Sequence, residues 1–485
     1  MLTGLLIILP LFFILLLLAM PDSKHIKTIA LLATLAEFGI SLGVLYHFLY
    51  SCHCVLGFHP EFFRQLGINF SLSVDGLGML LILLTTFLFP LVIYTSFDKN
   101  LSRPKSFYIL LLLMEMAFIG VFTATDVLLF YIFWELSILP IYFITALWGK
   151  NAKAISLEFL IYTMVGSLFM LVAIVYLYTM TPGLHSFSFN AFYSLTLDNN
   201  TQIFVFLAFF LAFAIKIPLF PVHSWLPKTH TASPTQGSML LAGVMLKMGI
   251  FGILRFILPL CPNVLTSWNI YIVILSIVGI LYSSLIAIKQ TELKRLIAFS
   301  SLAHMGLISA GVFSGNFTSM EGAVFQMLSH GINVAGAFFC YEILYRRTHT
   351  GTIASLGGIA SKAPIFSVCF MIIMLANIAL PLTNGFVGEF LILLGIFEFN
   401  HILAFIAGLT IILSAVYVLW MYQRVIFGTP TPVTEDFQEI TTREILVLIP
   451  IIIMIFWMGI YPKLFLNIAE PYVRSIINLP YFSFN

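Results

Sequence analysis

Six side chains lie deep inside apolar stretches of this chain, and each can gain or lose a proton. They are Glu135 in YIFWELSILP, Lys216 in AFAIKIPLFP, Lys247 in AGVMLKMGIF, His304 in FSSLAHMGLI, His330 in QMLSHGINVAG and Glu389 in NGFVGEFLIL. Carboxyl, amine and imidazole groups trade protons when burial and neighbouring charges adjust them. They do not form the clustered oxygen cage that tight binding of a hard metal ion requires. An ionised side chain at the centre of a membrane helix costs roughly 2.5–3.5 kcal/mol on insertion scales, so each marks a functional site by default. The structural alternatives are an ion pair that fixes helix packing and a histidine bonded to a nearby hydroxyl. They explain the histidines more easily than the lysines and glutamates, because neutral imidazole is cheaper to bury. Glu115 and Glu37 also lie near helix centres. Glu115 stays open between the two readings, and Glu37 reads as a packing or lipid-face feature. Asp126 follows Thr125 at a helix start and reads as a cap, and Glu158 lies close enough to a helix end to reach the interface.

The elements that hold these groups must be membrane helices. Of 485 residues 61% are hydrophobic and only 9% charged, against roughly 25% charged in a soluble domain, and the mean hydropathy is +1.07. This excludes a disordered chain, a nucleic-acid binder with a basic face and a disulfide scaffold. The five cysteines are scattered, and Cys52-His53-Cys54 is too tight for the usual zinc or redox spacing. No P-loop and no dinucleotide fingerprint is present, so the chain offers no means of binding a nicotinamide, an iron–sulfur cluster or ATP.

The apolar runs predict an all-α polytopic protein with about fourteen transmembrane helices. They fall near 2–20, 26–50, 76–97, 106–124, 126–148, 154–180, 202–222, 234–258, 267–288, 296–314, 319–344, 364–399, 402–426 and 444–465. Sixteen Lys and Arg fall in odd-numbered loops, Lys24 among them; the even loops hold only Arg64, and the C-terminal tail Lys463 and Arg474. That asymmetry predicts odd loops in the cytoplasm and both termini on the periplasmic side of a bacterial inner membrane, with an organelle membrane less favoured. Arg255, near a helix end, is expected to snorkel to the interface. Lys216 and Lys247 have no such escape.

Two spans cannot be continuous. Span seven holds Pro218 and Pro221, each of which removes an N–H and collides with the preceding turn. Span twelve, about 54 Å long if straight, contains Pro381, Gly385 and Gly388. A charged residue adjoins each break, Lys216 and Glu389. The breaks are five spans apart, as are Glu135 and His304. An odd-numbered repeat must be upside down in its second copy, which predicts inverted five-helix halves of the kind found in secondary transporters. The expected divisions are 1–105 (helices 1–3), 106–258 (helices 4–8), 259–426 (helices 9–13) and 427–485 (helix 14 and tail). A midplane relay is expected to run from Glu135 and Lys216 through Lys247, His304 and His330 to Glu389, with water in the gaps.

FYIFWELSILPIYF, AFAIKIPLFPVHSWLPKTHTASPTQGSMLLAGVMLKMGI, LKRLIAFSSLAHMGL, QMLSHGINVAGAFF and GFVGEFLIL, in this order, resemble the antiporter-like membrane subunits of respiratory complex I (NADH:quinone oxidoreductase), of the subunit M and mitochondrial chain 4 type. The resemblance covers nearly the whole chain. It implies proton translocation coupled to quinone reduction in other subunits. The family's paired acid then falls on Glu135, its paired lysine on Lys216, its central lysine on Lys247 and its exit-side acid on Glu389, while His304 and His330 match linking positions. It also implies membrane-subunit partners, especially the adjacent antiporter-like subunits L and N, within the lipid bilayer. The NADH, FMN, iron–sulfur clusters and quinone would belong to the complex, with no cofactor or redox site in this chain. Subunits L and N and the sodium/proton antiporter chains typically carry lysine where this chain has Glu389. A sodium/proton antiporter, a hydrogenase or photosynthetic relative, and a structural spacer are the alternatives.

Overall fold

The computed structural model describes residues 2–22, 25–50, 56–58, 61–63 and 67–479. Lys24, Arg64 and the Cys52–Cys54 segment lie outside the described residues. The helices in order are α1 (Leu2–Ala19), α2 (Ile26–Tyr50), α3 (Gly76–Thr95), α4 (Pro104–Thr123), α5 (Val127–Trp148), α6 (Lys153–Met180), α7 (Phe189–Tyr193), α8 (Asn199–Lys216), α9 (Trp225–Ala232), α10 (Thr235–Leu260), α11 (Pro262–Ile288), α12 (Leu293–Phe313), α13 (Phe317–Thr348), α14 (Ile359–Lys362), α15 (Pro364–Asn377), α16 (Asn384–Phe399), α17 (His401–Ile426), α18 (Thr442–Ile460) and α19 (Lys463–Ile477). Thirteen are long and apolar enough to cross a membrane. Span twelve supplies the fourteenth crossing as two pieces, α15 and α16. Span seven is likewise interrupted: α8 ends at Lys216 and helix resumes only at Trp225. Both breaks fall where Pro and Gly forbid a continuous ladder. Short two-stranded ladders between α2 and α3 (Leu56–Phe58 with Leu72–Val74, Glu61–Phe63 with Ile68–Asn69) interrupt the helical pattern.

The chain forms two compact units. One comprises Met1–Ile217, Val244–Asn269 and Ile468–Asn485; the other comprises Pro218–Gly243 and Ile270–Asn467.

In the first unit, lysines clamp helix ends. Lys27 Nζ donates to the carbonyls of Phe97 and Lys99 (2.9 and 3.2 Å), and Lys105 Nζ to those of Leu18 and Met20 (2.8 and 2.6 Å). The loops after spans one and three therefore meet at one end. At the other end Thr125 N–H donates to Ser71 O (3.0 Å) and Val127 N–H to Phe187 O (2.8 Å), so even loops meet there. That is the alternation the lysine count requires. Asp126 caps α5 as expected, accepting from the N–H groups of Leu128 and Leu129. Arg255, partly exposed near its helix end, pairs through its guanidinium with Asp75 at the N-terminus of α3 and lies against the rings of Phe251 and Tyr472. Glu37 is not on a lipid face: it is wholly buried in a stripe of α2 with Ala30, Ala33, Thr34 and Ser41.

In the second unit α13, 32 residues long, is the central rod. Around it pack α12, α15, α16 and α18. Arg347 grips Glu444 through two hydrogen bonds of 2.9 and 2.7 Å at one end of the rod. Asn316 Nδ2 donates to Gly395 O (2.6 Å) at the other. The gap between α15 and α16 leaves the last carbonyls of α15 without their α-helical partners, and at membrane depth these must be satisfied by protein or water. Asn333 Nδ2 on α13 donates to one of them, Ala376 O (3.2 Å), which also accepts from Ala379 N–H (3.3 Å), and Ser329 Oγ one turn earlier donates to Asn384 O (3.1 Å) in the first turn of α16. Gly385 is required here. A Cβ at that position would stand 2.2 Å from Ala376 O.

Candidate functional site

The structure distributes the six sequence-predicted residues as Glu135, Lys216 and Lys247 in the first unit and His304, His330 and Glu389 in the second.

Lys216 occupies the last turn of α8, where unpaired carbonyls favour a cation. It is 1% exposed. Its ammonium lies 4.8 Å from the centre of the Trp134 ring and donates to Ser137 Oγ at 3.3 Å. Both partners come from one turn of α5. Glu135, on the same turn, acts on Lys216 through its charge, without a direct ion pair among the described residues. Glu135 is only half-buried. It borders an outward groove of about 370 Å³ lined by Tyr131, Ile132, Leu139, Leu160 and Met164, and one carboxylate oxygen has no hydrogen-bond partner. The α5 turn thus presents a ring and a hydroxyl inward and its acid outward.

Lys247 is completely buried in α10. It lies between two π-helical segments, Leu241–Met245 and Ile253–Ile257. Such widened turns are frequent at functional sites. Two residues on, Gly249 lets Ile217 and the Phe213 carbonyl approach, and a Cβ there would meet Ile217 at 2.5 Å. The end of α8 and the middle of α10 are therefore held close.

In the second unit three predicted residues come together. Glu389 sits in the second turn of α16, near the end of a half-helix that favours an anion. Gln326 Nε2 donates to Glu389 Oε1 at 3.2 Å. His304 Nδ1 is 3.0 Å from the same oxygen, but its ring is turned off the line of a hydrogen bond. A small ring rotation would complete the contact. The rings of His304 and His330 are 5.4 Å apart, centre to centre. Glu389, His304 and His330 are at most 3% exposed. One turn before His304, Ser300 shares a hydrogen bond of 3.0 Å with Tyr417. The result is an enclosed carboxyl–imidazole couple with a second imidazole beside it. The same three helices also carry buried polar atoms of Ser301, Gln326, Asn333 and Asn384 that have no hydrogen-bond partner among the described residues.

Sequence reasoning missed Trp134, Ser137, Gln326, Ser300 and Tyr417. The neutral partners carry no signal in a single sequence; only the i, i+3 spacing of Trp134 and Ser137 on either side of Glu135 could have suggested that they share a face.

Comparison with known proteins places this arrangement in context. Residues 124–414 match the family described as NADH:quinone oxidoreductase/Mrp antiporter, TM. The chain belongs to that family. All six residues fall inside the matched segment of the NADH:quinone oxidoreductase/Mrp antiporter family. NADH-quinone oxidoreductase subunit M of Rhodobacter capsulatus is 41% identical over 475 residues, covering 94% of this chain and 91% of that one. NADH-ubiquinone oxidoreductase chain 4 of Marchantia polymorpha is 39% identical, covering 84% and 83%. Among solved structures, a chain of respiratory complex I from Thermus thermophilus with bound NADH superposes with a TM-score of 0.89 at 29% identity, covering 98% of this chain and all of that one. A chain of the Mrp complex from Dietzia sp. shares the fold (TM-score 0.86, 16% identity, 99% and 98% covered).

Proposed function

We propose that this chain is a proton-translocating membrane-arm subunit of a complex I, relaying protons across a bacterial inner membrane through Glu135, Lys216, Lys247, His304, His330 and Glu389. The observation that carries this reading is the chemistry of the buried groups. Within otherwise apolar helices each is a proton donor or acceptor, and each helix break adjoins one of them. Inverted halves at 106–258 and 259–426 would place those breaks in equivalent positions.

Lys216 is the switching element. Its ammonium is held by the Trp134 ring and Ser137 hydroxyl, while Glu135 supplies the compensating charge. Moving the Glu135 carboxylate toward Lys216 favours the ammonium. Moving it away favours release of the proton toward Lys247. In the second unit His304 takes up a proton and passes it to Glu389 by rotating its ring into line, with His330 as the neighbouring acceptor. Translocation against a membrane potential requires roughly 2.3 kcal/mol per charge per 100 mV. NADH–quinone electron transfer in other subunits would supply that energy, which makes this chain part of an NADH:quinone oxidoreductase without a redox centre of its own. Antiporter-like subunits L and N are the expected neighbours, and both termini would face the periplasm.

The test is Lys216→Ala and Glu135→Ala in the assembled complex, with NADH–quinone turnover and proton pumping measured together. Both variants are expected to lower pumping tenfold or more, about 1.4 kcal/mol or more of barrier. Normal pumping by either variant in an intact complex overturns the relay. Sodium transport that persists without NADH would favour a sodium/proton antiporter.

A further inference from the structure

Two acids take no part in the relay and precede the family-matched segment. Glu37 lies halfway along α2 and Glu115 just past the middle of α4. Both are 0% exposed, and all four carboxyl oxygens lack a hydrogen-bond partner among the described residues. The two helices pack together, and the two carboxyls lie within electrostatic reach of each other.

No described counter-charge serves them. Of the elements around them, α1 carries no titratable side chain, and α3 carries only Tyr94 near its end. On α4, Tyr108 is bonded to Ser96. Lys27 and Lys105 are tied to carbonyls at the helix ends. On the other helices packed against α4, Glu135 of α5 borders the outward groove, Arg255 of α10 is paired with Asp75, and no hydrogen bond joins Lys247 of α10 to either acid among the described residues. Nearby hydroxyls are also committed: Ser41 and Thr86 bond each other at 2.8 Å, and Thr34 donates to the carbonyl of Leu31. A small metal cation would need a shell of oxygens directed at it, and these hydroxyls are engaged with backbone carbonyls or with each other. Two carboxyls buried on packed helices in apolar surroundings cannot both be ionised without a partner. The counter-ion that fits is the proton.

We propose that Glu37 and Glu115 form a second proton-binding site, separate from the relay. The carboxyl pair holds its protons at neutral pH and exchanges them only when the seam between α2 and α4 admits water. Neither acid is needed for packing, since an apolar side chain would fill either position without an unsatisfied oxygen.

Infrared difference spectroscopy on the whole complex, comparing wild type with Glu37→Gln, Glu115→Gln and the double variant, tests the site. At about pH 8, far above the ordinary glutamate value of about 4.3, each single variant is expected to lose one carbonyl-stretch band of a protonated carboxyl, and the double variant two. Glu115→Asp, which keeps the acid, should shift the band and not abolish it. Loss of carboxylate bands in place of carboxyl bands overturns the proposal. So does disappearance of the wild-type band on adding sodium, which would assign the pair to a metal cation. The readout does not depend on pumping: Lys216→Ala should leave the bands in place, so failure of the relay and failure of this site are separable.

Discussion

Glu135 and Glu389 are both acids near the middle of apolar helices, yet their surroundings are opposed. Glu135 stands half-buried at the rim of an outward groove, and Lys216, on the neighbouring helix, is held by a ring and a hydroxyl. Glu389 is enclosed, bonded by Gln326 and touched by His304. The first arrangement is loose and can respond to whatever covers the groove. The second is tight and responds only to rotation of a neighbouring ring. Under the proposed relay, coupling to an outside event would enter at the first unit, and proton transfer over short distances would belong to the second.

The largest disturbance should come from the backbone break that supports the tight site. Gly385→Ala places a methyl group against Ala376 O and should destabilise the second unit by about 3 kcal/mol, seen as loss of assembled complex on heating. Ala in place of Gly408, where space is open, is the silent control. Next is Gln326→Leu. It strips the described donor from Glu389 and should cost about 2 kcal/mol, read from thermal unfolding. Shortening each acid separates the two sites directly. Glu389→Asp retracts the carboxyl from the 3.0 Å contact with His304 and should slow pumping about tenfold, ~1.4 kcal/mol. Glu135→Asp, acting only through its field, should slow it less than about threefold. Equal effects would erase the distinction between loose and tight. Ser137→Ala removes one acceptor from Lys216 and should cost about 1 kcal/mol, measured as reduced pumping at unchanged assembly.

The smallest effect is a pH dependence at the end of α5. Burial pushes the Asp126 carboxyl above the ordinary aspartate range, and the N–H groups of Leu129, Leu128 and Asn69 offset this only in part. A raised folded value means that the folded state holds the proton more tightly. Its stabilising contribution is therefore complete below about pH 3.9 and is lost as pH rises through the folded value. Asp126→Asn keeps an acceptor for the cap and should flatten that decline in thermal stability.

Much of the fold was legible because charge is scarce in this chain. Fourteen spans and two breaks follow from apolar run length, Pro218, Pro221, Pro381 and Gly385; the three prolines lie within the breaks and Gly385 at the start of the helix that follows the second. Lys216, Lys247 and Glu389 stood out because an ion in an apolar run is expensive. The partners did not. Gln326 lies 63 positions from Glu389, and Ser137 lies 79 from Lys216. Nothing local distinguishes them from other polar residues on buried faces. The exposure of Glu135 was equally hidden, because helix periodicity does not say which face of a uniformly apolar helix points outward. The partners of Arg255 and Glu37 were hidden for the same reason: their surroundings are set by residues such as Asp75 and Glu115 that are remote in sequence, and burial leaves Glu37 only the packing half of its expected reading.

The outward groove at Glu135 has a consequence for the life of the chain before assembly. A newly inserted copy shows lipid a surface of Ile132, Leu139, Leu160 and Met164 with a carboxyl at its rim. Hydrocarbon solvates the aliphatic side chains and not the acid. An orphan copy thus carries a defect that association with another membrane protein would mask. The acid assigned to proton transfer in the proposed relay would then also mark unassembled chains as incomplete, so synthesis out of proportion to neighbouring subunits should shorten the lifetime of the excess.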